Sequence, residues 1–199
     1  MAEPMVFPLF PSLIHVFVGS RIYFQKPMGG YCVKMTKRIG KVHKTYALIG
    51  GGLGLLSSII VASAVGSPLP ILRLLGADTI LPPIWLMGLL WLAGYALLGA
   101  AAGYVLACLF GGPVREASLW RGMTFWVIEF TFSFAWYCFF FGSCLLLPAG
   151  ICLTVGVAAG AVCAVSWFHT YRLPSLLCGG VTLWLLYLSL CHLVVILHN

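Results

Sequence analysis

Charged side chains are scarce in this sequence. Only 8% of its 199 residues are Asp, Glu, Lys or Arg, and only four are acidic, whereas 62% of the residues are hydrophobic. A soluble domain of this size needs more charged and polar surface than that to stay in solution. The apolar runs are continuous for about 20 residues and do not alternate, which argues against a β-barrel. The composition therefore predicts an all-α membrane protein.

Catalytic and cofactor motifs are also missing. The sequence has no H-E-x-x-H, no G-x-S-x-G, no phosphate-binding loop and no cluster of acids that would hold a metal. Its eight cysteines form no C-x-x-C pair, and most lie within apolar runs, so we interpret them as small core residues. We therefore predict no enzyme activity, no resident cofactor and no metal site.

Six apolar runs approach the length of about 20 residues that a membrane span needs. They are residues 5–24, 46–66, 81–111, 118–147, 149–168 and 175–197. We expect one transmembrane domain over 1–199 with five or six helices. The run 46–66 is uncertain because it is rich in Gly and Ser, which suits close helix packing but weakens an autonomous helix. The alternative is a re-entrant or membrane-surface segment.

Basic residues are concentrated in one part of the chain. Seven of the eleven Lys and Arg residues fall between Arg21 and Lys44, beside an apolar run. This placement is typical of positive-inside topology or of lipid headgroup contact, and it makes the bilayer, and not a nucleic acid, the expected partner. If all six runs cross, nearly every basic residue lies on one side of the membrane, so the charge pattern favours six.

One carboxyl group lies inside an apolar run. Residues 128–142 read IEFTFSFAWYCFFFG and contain eight aromatic side chains. On a helix, Glu129, Ser133, Trp136 and Phe140 share one face. An ionisable group in a membrane points into the bundle or a wet cavity, because hydrocarbon solvates it poorly. Two interpretations stay open: a polar spot at the base of an aromatic ligand cavity, or a protonated carboxyl that only joins helices through a neighbouring hydroxyl or carbonyl.

The last apolar run carries a second group of candidates. Trp184 lies ten residues into this run, near the middle of the membrane, and Leu188 is on the same helix face with His192 beside it. His192 is either a ligand contact or a hydrogen-bonded packing residue. Trp85, by contrast, follows two prolines at the start of its run, where tryptophan usually anchors a helix at the membrane interface.

Several stretches resemble the translocator protein family, also called the tryptophan-rich sensory protein or peripheral benzodiazepine receptor family. In chain order they are Pro11-Ser12-Leu13, Phe17–Arg21, Pro83-Ile84-Trp85, Gly94-Tyr95-Ala96, Glu129–Gly142, Ser166-Trp167 and Trp184-Leu185. The longest, EFTFSFAWYCFFFG, aligns without gaps on the family's Q-L-A-L-N-W-A-W-P-P-I-F-F-G. The first two stretches resemble the end of the family's first helix, so we assign 5–24 to that place.

The resemblance implies a five-helix transmembrane bundle, here with 46–66 as an extra hydrophobic segment. It implies a protein of the mitochondrial outer membrane, or of a bacterial outer membrane, that is often a homodimer. Family members bind porphyrins, cholesterol and benzodiazepine-type compounds in a cavity among the helices. By position, Trp85, Trp136 and Trp184 would line that cavity. Glu129 replaces a family Gln, and Ser133 and His192 each replace a family Asn. The expected ligand-binding residues are Trp85, Glu129, Ser133, Trp136, Trp184, Leu188 and His192.

The sequence departs from the family pattern in four places. Tyr137-Cys138 replaces a Pro-Pro pair, and Gly94-Tyr95 lies one residue farther from Trp85 than in the family. The connector after Gly142 is shorter and lacks a Trp and an Asp. Leucines at 193 and 197 break a C-terminal cholesterol-recognition pattern. The missing Asp and shorter connector favour an alternative function, a structural or accessory subunit of a larger membrane complex; a third possibility is a proton-coupled carrier that uses Glu129.

Overall fold

The computed structural model describes residues 32–76, 81–111, 117–168 and 170–198. These residues form six α-helices and no β-strand. The helices are α1 (Cys32–Val65), α2 (Leu69–Leu74), α3 (Ile84–Gly111), α4 (Ala117–Tyr137), α5 (Leu146–Phe168) and α6 (Arg172–His198). A π-helical segment, Cys138–Gly142, continues α4. The all-α prediction is therefore confirmed.

Five of the described helices are long and apolar enough to cross a membrane. The candidate spans are Val42–Val65, Ile84–Phe110, Ala117–Gly142, Leu146–Phe168 and Arg172–His198. Each exceeds the roughly 20 residues that a bilayer requires. The uncertain run 46–66 thus belongs to a full-length helix and not to a short surface segment. The run 5–24 lies outside the described residues, and the single domain over 1–199 stays a prediction.

The core of the bundle is built on α5, which packs extensively against both α4 and α6. Helix α3 packs against α6 and, less closely, against α4. One bond between α3 and α4 is specific: the Trp126 indole N–H donates to the Leu98 carbonyl oxygen at 3.0 Å. These four helices and the π-helical segment enclose the buried aromatic side chains. All of them belong to the compact unit that begins at Thr36.

Helix α1 joins the bundle through glycines. Gly50 and Gly54 of α1 meet Gly99 and Gly103 of α3, so that two G-x-x-x-G patterns face each other with no side chain between the backbones. A Cβ atom at Gly50 would run into the Gly99 carbonyl oxygen. Such close approach of small residues drives helix association in membranes, where apolar side chains gain nothing from leaving lipid. The Gly-rich composition of 46–66 therefore serves packing, as the sequence suggested.

The π-helical segment falls where the family's Pro-Pro pair is replaced. Helix α4 widens at Cys138, directly after Tyr137, and ends at Gly142. The Leu145 backbone N–H then bonds to the Phe139 carbonyl oxygen at 2.9 Å, and Cys144 adopts a left-handed conformation with φ of 53°. A π-bulge changes the direction of side chains without a proline. Phe140 and Phe141 are consequently both buried next to Trp136.

We expect Gly50→Ala to lower the free energy of unfolding by about 1–3 kcal/mol, because the added methyl group forces α1 away from the α3 backbone. The matched control is Gly52→Ala on the same helix, where a Cβ has nothing within 4 Å. That control should be neutral or slightly stabilising, since alanine favours the helix. Thermal unfolding in detergent, followed by circular dichroism, measures both; equal changes in the two variants would contradict the glycine contact.

Candidate functional site

The Glu129 side chain is fully buried and bonded between helices. Its Oε2 accepts a hydrogen bond from the Cys178 thiol at 3.2 Å, and its Oε1 lies 3.1 Å from the Thr182 hydroxyl. Both partners belong to α6, one turn apart. Gly160 of α5 closes the third side, where any Cβ would collide with Glu129 Oε1 and Thr182 Oγ1. We call Glu129, Gly160, Cys178 and Thr182 the polar junction of α4, α5 and α6.

The hydrogens of the polar junction can be counted. The Thr182 hydroxyl has one hydrogen but two acceptors in reach, Glu129 Oε1 and the Cys178 carbonyl oxygen at 2.9 Å. A protonated Glu129 would resolve this: its O–H donates to Thr182, Thr182 donates to the Cys178 carbonyl, and the Cys178 thiol donates to Oε2. Every polar atom of the junction is then paired, as the interior of a membrane demands.

Ser133 is also buried and hydrogen-bonded within the bundle. Its hydroxyl donates to the Glu129 carbonyl oxygen at 2.6 Å, one turn back on the same helix. Glu129, Ser133, Trp136 and Phe140 are all buried, so the shared helix face that the sequence indicated is present. Two parts of this face have different surroundings. Glu129 and Ser133 form hydrogen bonds within the bundle, whereas Trp136, further along α4, lines a cavity.

A separate aromatic cavity of about 260 Å³ lies between α3, α4 and α6. The end of α1 and the connection to α2 border it on one side. Its wall is apolar and aromatic, formed by Ala62, Gly66, Pro68, Ile84, Met87, Gly88, Trp91, Leu92, Trp136, Tyr137, Phe141, Trp184 and Leu188. Trp91 is the centre of the aromatic contacts, with ring centroids 5.5 Å from Trp136 and 4.7 Å from Tyr137. Glu129 is not part of this wall.

The tryptophans that border the cavity differ from the other four in their hydrogen bonding. The indole N–H groups of Trp91, Trp136 and Trp184 are buried and have no hydrogen-bond partner within the described part of the chain. The remaining tryptophans are accounted for otherwise. Trp126 and Trp167 donate to backbone carbonyl oxygens, and the side chains of Trp85 and Trp120 are 71% and 50% exposed. Three unpaired indole donors, each without exposed surface at its nitrogen, thus belong to side chains that line one cavity.

Trp85, which the family resemblance places in the cavity wall, does not line this cavity. Trp91 takes that place, six residues later on α3, which corresponds to about 240° around the helix. Trp91 belongs to a buried stripe with Met87, Tyr95 and Leu98, whereas Trp85 faces outward. The sequence carried a signal for this: the one-residue offset between Trp85 and Gly94-Tyr95 rotates one against the other by about 100°. Trp85 is exposed at the start of α3, directly after the two prolines, and an interfacial role stays a prediction.

The three candidates on α6 separate in the structure. Trp184 and Leu188 both line the aromatic cavity. His192 lies one turn further on and outside the wall, where its Nε2 lies 2.8 Å from the Leu146 carbonyl oxygen of α5. Its ring packs edge-on against Phe140, with centroids 5.0 Å apart. The packing interpretation of His192 therefore describes its contacts better than the ligand interpretation.

The sequence model of the TspO/MBR family matches residues 46–197. The chain belongs to the TspO/MBR family. This confirms the resemblance to translocator proteins, and it makes the chain an integral membrane protein of that family with a buried aromatic cluster. No curated protein and no solved structure matches the chain.

The family match also corrects the assignment of the first helix. The matched region begins at Tyr46 and covers α1 from that residue onward, α3, α4, α5 and nearly all of α6, which supply five candidate membrane spans. Residues 5–24 are outside it, so their assignment to the family's first helix is wrong. That assignment was based on the short P-S-L and F-V-G-S-R strings in the run 5–24. The run that packs on α3 is 46–66.

We expect Thr182→Val to lower the free energy of unfolding by about 0.5–1.5 kcal/mol, since hydrogen bonds between membrane helices contribute amounts of this order. Thr154→Val is a matched control. The Thr154 hydroxyl makes the same bond to the carbonyl four residues earlier, at 2.9 Å, but it is exposed and on α5. Unfolding in detergent by a denaturant series compares the two. A loss as large in Thr154→Val as in Thr182→Val would contradict the bond to Glu129.

Proposed function

We propose that this protein is a receptor or translocator that binds a hydrophobic, planar ligand in the aromatic cavity without turning it over. The preferred ligand class is a porphyrin or related tetrapyrrole, and a sterol such as cholesterol is the second. The observation that carries the proposal is the convergence of Trp91, Trp136 and Trp184 on one cavity with unpaired indole N–H groups. Family membership supports the proposal, since the resemblance to translocator proteins implies porphyrin or cholesterol binding.

The shape and chemistry of the wall favour a flat, apolar ligand. Small-molecule sites are usually lined by aromatic and aliphatic side chains with a few placed polar groups. The rings of Trp91, Trp136 and Tyr137 offer faces and edges for stacking. The volume of 260 Å³ is just below the range of about 300–1,000 Å³ that is typical of ligand sites. We therefore expect one part of a tetrapyrrole, and not the whole ring system, to enter between the indoles.

The polar groups of the wall favour a ligand that accepts hydrogen bonds. Indole N–H groups donate only, and an unpaired buried donor costs about 1–3 kcal/mol relative to a paired one. No water is available in a bilayer core to pair them. A carboxylate or carbonyl oxygen of the ligand would satisfy one or more of the three donors. Tetrapyrroles with carboxylate side chains meet this requirement better than cholesterol, which has a single hydroxyl group.

We assign Glu129 and Ser133 an indirect role in this function. They bond within the bundle and not along the cavity wall, so they fix the rotation of α4 about its axis. Trp136 lies two turns after Glu129 on the same face, and the rotation of α4 decides whether its ring reaches the cavity. In this proposal Glu129 holds α4 in the orientation that the site needs, and the tryptophans contact the ligand. His192 supports the opposite end of α6 in the same way.

We expect Trp91→Phe, Trp136→Phe and Trp184→Phe each to weaken protoporphyrin binding by about 2- to 10-fold. A smaller aromatic ring is kept and the N–H donor is lost, and the lost hydrogen bond is worth about 0.5–1.5 kcal/mol. The dissociation constant is measured from the absorption change of the porphyrin, so that it does not depend on tryptophan emission. Trp85→Phe is the control and should bind as the wild type does.

Two outcomes would contradict the proposed site. One is a dissociation constant that changes in Trp85→Phe as much as in the three cavity variants. The other is equally tight binding of octaethylporphyrin, which has the same ring system but no carboxylate, since the unpaired donors would then play no part. Co-purification with partner proteins at fixed stoichiometry, together with no porphyrin binding, would favour the accessory-subunit alternative.

The mitochondrial outer membrane is the location that we propose, with a homodimer as the assembly, both from the family resemblance. Translocator proteins gave these two expectations, and the exposed apolar surface of the five spans is compatible with lipid or with a second copy. Fractionation of the tagged full-length chain tests the location. Its mass in a native-like detergent tests the assembly.

A further inference from the structure

We propose that Glu129, Cys163 and Cys178 form a binding site for a thiophilic divalent metal ion such as zinc. The three side chains come from α4, α5 and α6, and all three are fully buried. Among the described residues, this is the group of metal-ligating side chains whose ligand atoms converge. The site adjoins the polar junction and shares two of its residues. It does not depend on the proposed ligand of the aromatic cavity.

The distances suit a single small ion. The ligand atoms of Glu129, Cys163 and Cys178 all lie within 4.8 Å of one another, and Cys178 Sγ is 3.2 Å from Glu129 Oε2. Zinc binds thiolate sulfur at about 2.3 Å and carboxylate oxygen at about 2.0 Å. In tetrahedral geometry, two such ligand atoms are about 3.5–3.8 Å apart. The present separations therefore differ from those around an ion by about 0.3 to 1.3 Å.

The donor atoms select the kind of ion. Thiolate ligands favour zinc and other thiophilic ions, whereas calcium and magnesium need several oxygen ligands. Zinc accepts both thiolate sulfur and carboxylate oxygen as ligands, and sites with three protein ligands keep a fourth position open. Each helix contributes one ligand, so an ion at this point would join α4, α5 and α6 together.

The surroundings support the carboxylate as a ligand. Thr182 Oγ1 lies 3.1 Å from Oε1, the oxygen that faces away from Cys178. This leaves Oε2 free to bind the ion while Thr182 fixes the orientation of the carboxyl group, as hydrogen bonds to metal ligands commonly do. The absence of a side chain at Gly160 leaves room for the Glu129 carboxyl group and the Thr182 hydroxyl, because a Cβ there would meet both.

The charge balance sets how many protons the ion displaces. Zinc binding displaces protons of the ligating groups, which are released to solvent. A Zn²⁺ ion neutralises the Glu129 carboxylate and one thiolate, so the site is uncharged, as the membrane interior favours, when the other cysteine binds as a neutral thiol. Without an ion, the same atoms form the hydrogen-bonded junction described above. The two states share their geometry but differ in metal content, which can be measured.

The experiment uses the full-length protein, purified in detergent, stripped with a chelator and then titrated with Zn²⁺ or Co²⁺. We expect one ion per chain, a cobalt–thiolate charge-transfer absorption and a higher unfolding temperature with zinc. Cys163→Ser should weaken binding at least tenfold and lose the absorption. Cys152→Ser, another buried cysteine of α5, is the control and should behave as the wild type does.

Two results would overturn the metal site. One is a stripped wild-type protein that takes up no ion and shows no change in unfolding temperature. The other is a Cys163→Ser variant that binds cobalt with the same affinity and spectrum as Cys152→Ser, which would place the ion elsewhere. Cys163 interacts with the Cys178 side chain and not with the Glu129 carboxyl group, and serine keeps a hydrogen-bonding group at this position. We therefore expect the variant to fold, so the comparison does not rest on Cys178→Ser. Porphyrin binding is measured on the same protein samples. It tests the aromatic cavity, so a failure of the metal site can be distinguished from a failure of the proposed function.

Discussion

The bundle depends on one buried carboxyl group that bonds across a helix interface. Glu129 of α4 reaches the thiol of Cys178 and the hydroxyl of Thr182 on α6, beside a glycine of α5 that leaves it room. In a bilayer, apolar side chains gain little by leaving lipid for protein, so packing of small residues and hydrogen bonds decide how helices associate. A carboxyl group with only one satisfactory set of partners fixes both the rotation and the depth of α4.

The aromatic cavity follows from that constraint. With α4 held by Glu129, Trp136 and the π-helical segment face α3 and α6, where Trp91 and Trp184 complete the wall. The glycine contact between α1 and α3 brings the end of α1 to the border of the same cavity. The polar side chains of the junction are hydrogen-bonded, whereas the indole N–H groups of the three tryptophans that line the cavity are not. Tyr95 Oη and His192 Nδ1, which lie outside the cavity wall, are also buried without a partner among the described residues, so an unpaired atom by itself does not mark the ligand site.

Much of the fold could be predicted from the sequence, because continuous apolar runs and their breakers determine where helices can cross. The buried face of Glu129, Ser133, Trp136 and Phe140 followed from helical spacing alone. The partners of that face could not be predicted. Cys178 and Thr182 are about 50 residues away, and nothing in their local pattern marks them. For the same reason, the convergence of Cys163 with Glu129 and Cys178 was not visible, and the cysteines were interpreted as core residues without a metal.

The errors have a common origin in rotation and register. Trp85 was assigned to the cavity because a short motif contains it, whereas Trp91, which lines the cavity, follows six residues later and points about 240° away on the helix. The first helix was misplaced because short strings in 5–24 outweighed the glycine pattern of 46–66, which packs on α3. In both cases the helix face that packs against the bundle predicts the position of a residue better than a short sequence motif does.

The central claim is that three unpaired indole donors receive the ligand, and NMR of the indole N–H groups tests it most directly. With ¹⁵N-labelled tryptophan and signals assigned by single Trp→Phe variants, the account predicts that protoporphyrin shifts the resonances of Trp91, Trp136 and Trp184. The resonances of Trp85 and Trp120 should stay in place. Shifts confined to the two exposed tryptophans, with the three cavity resonances unchanged at saturating porphyrin, would contradict the account.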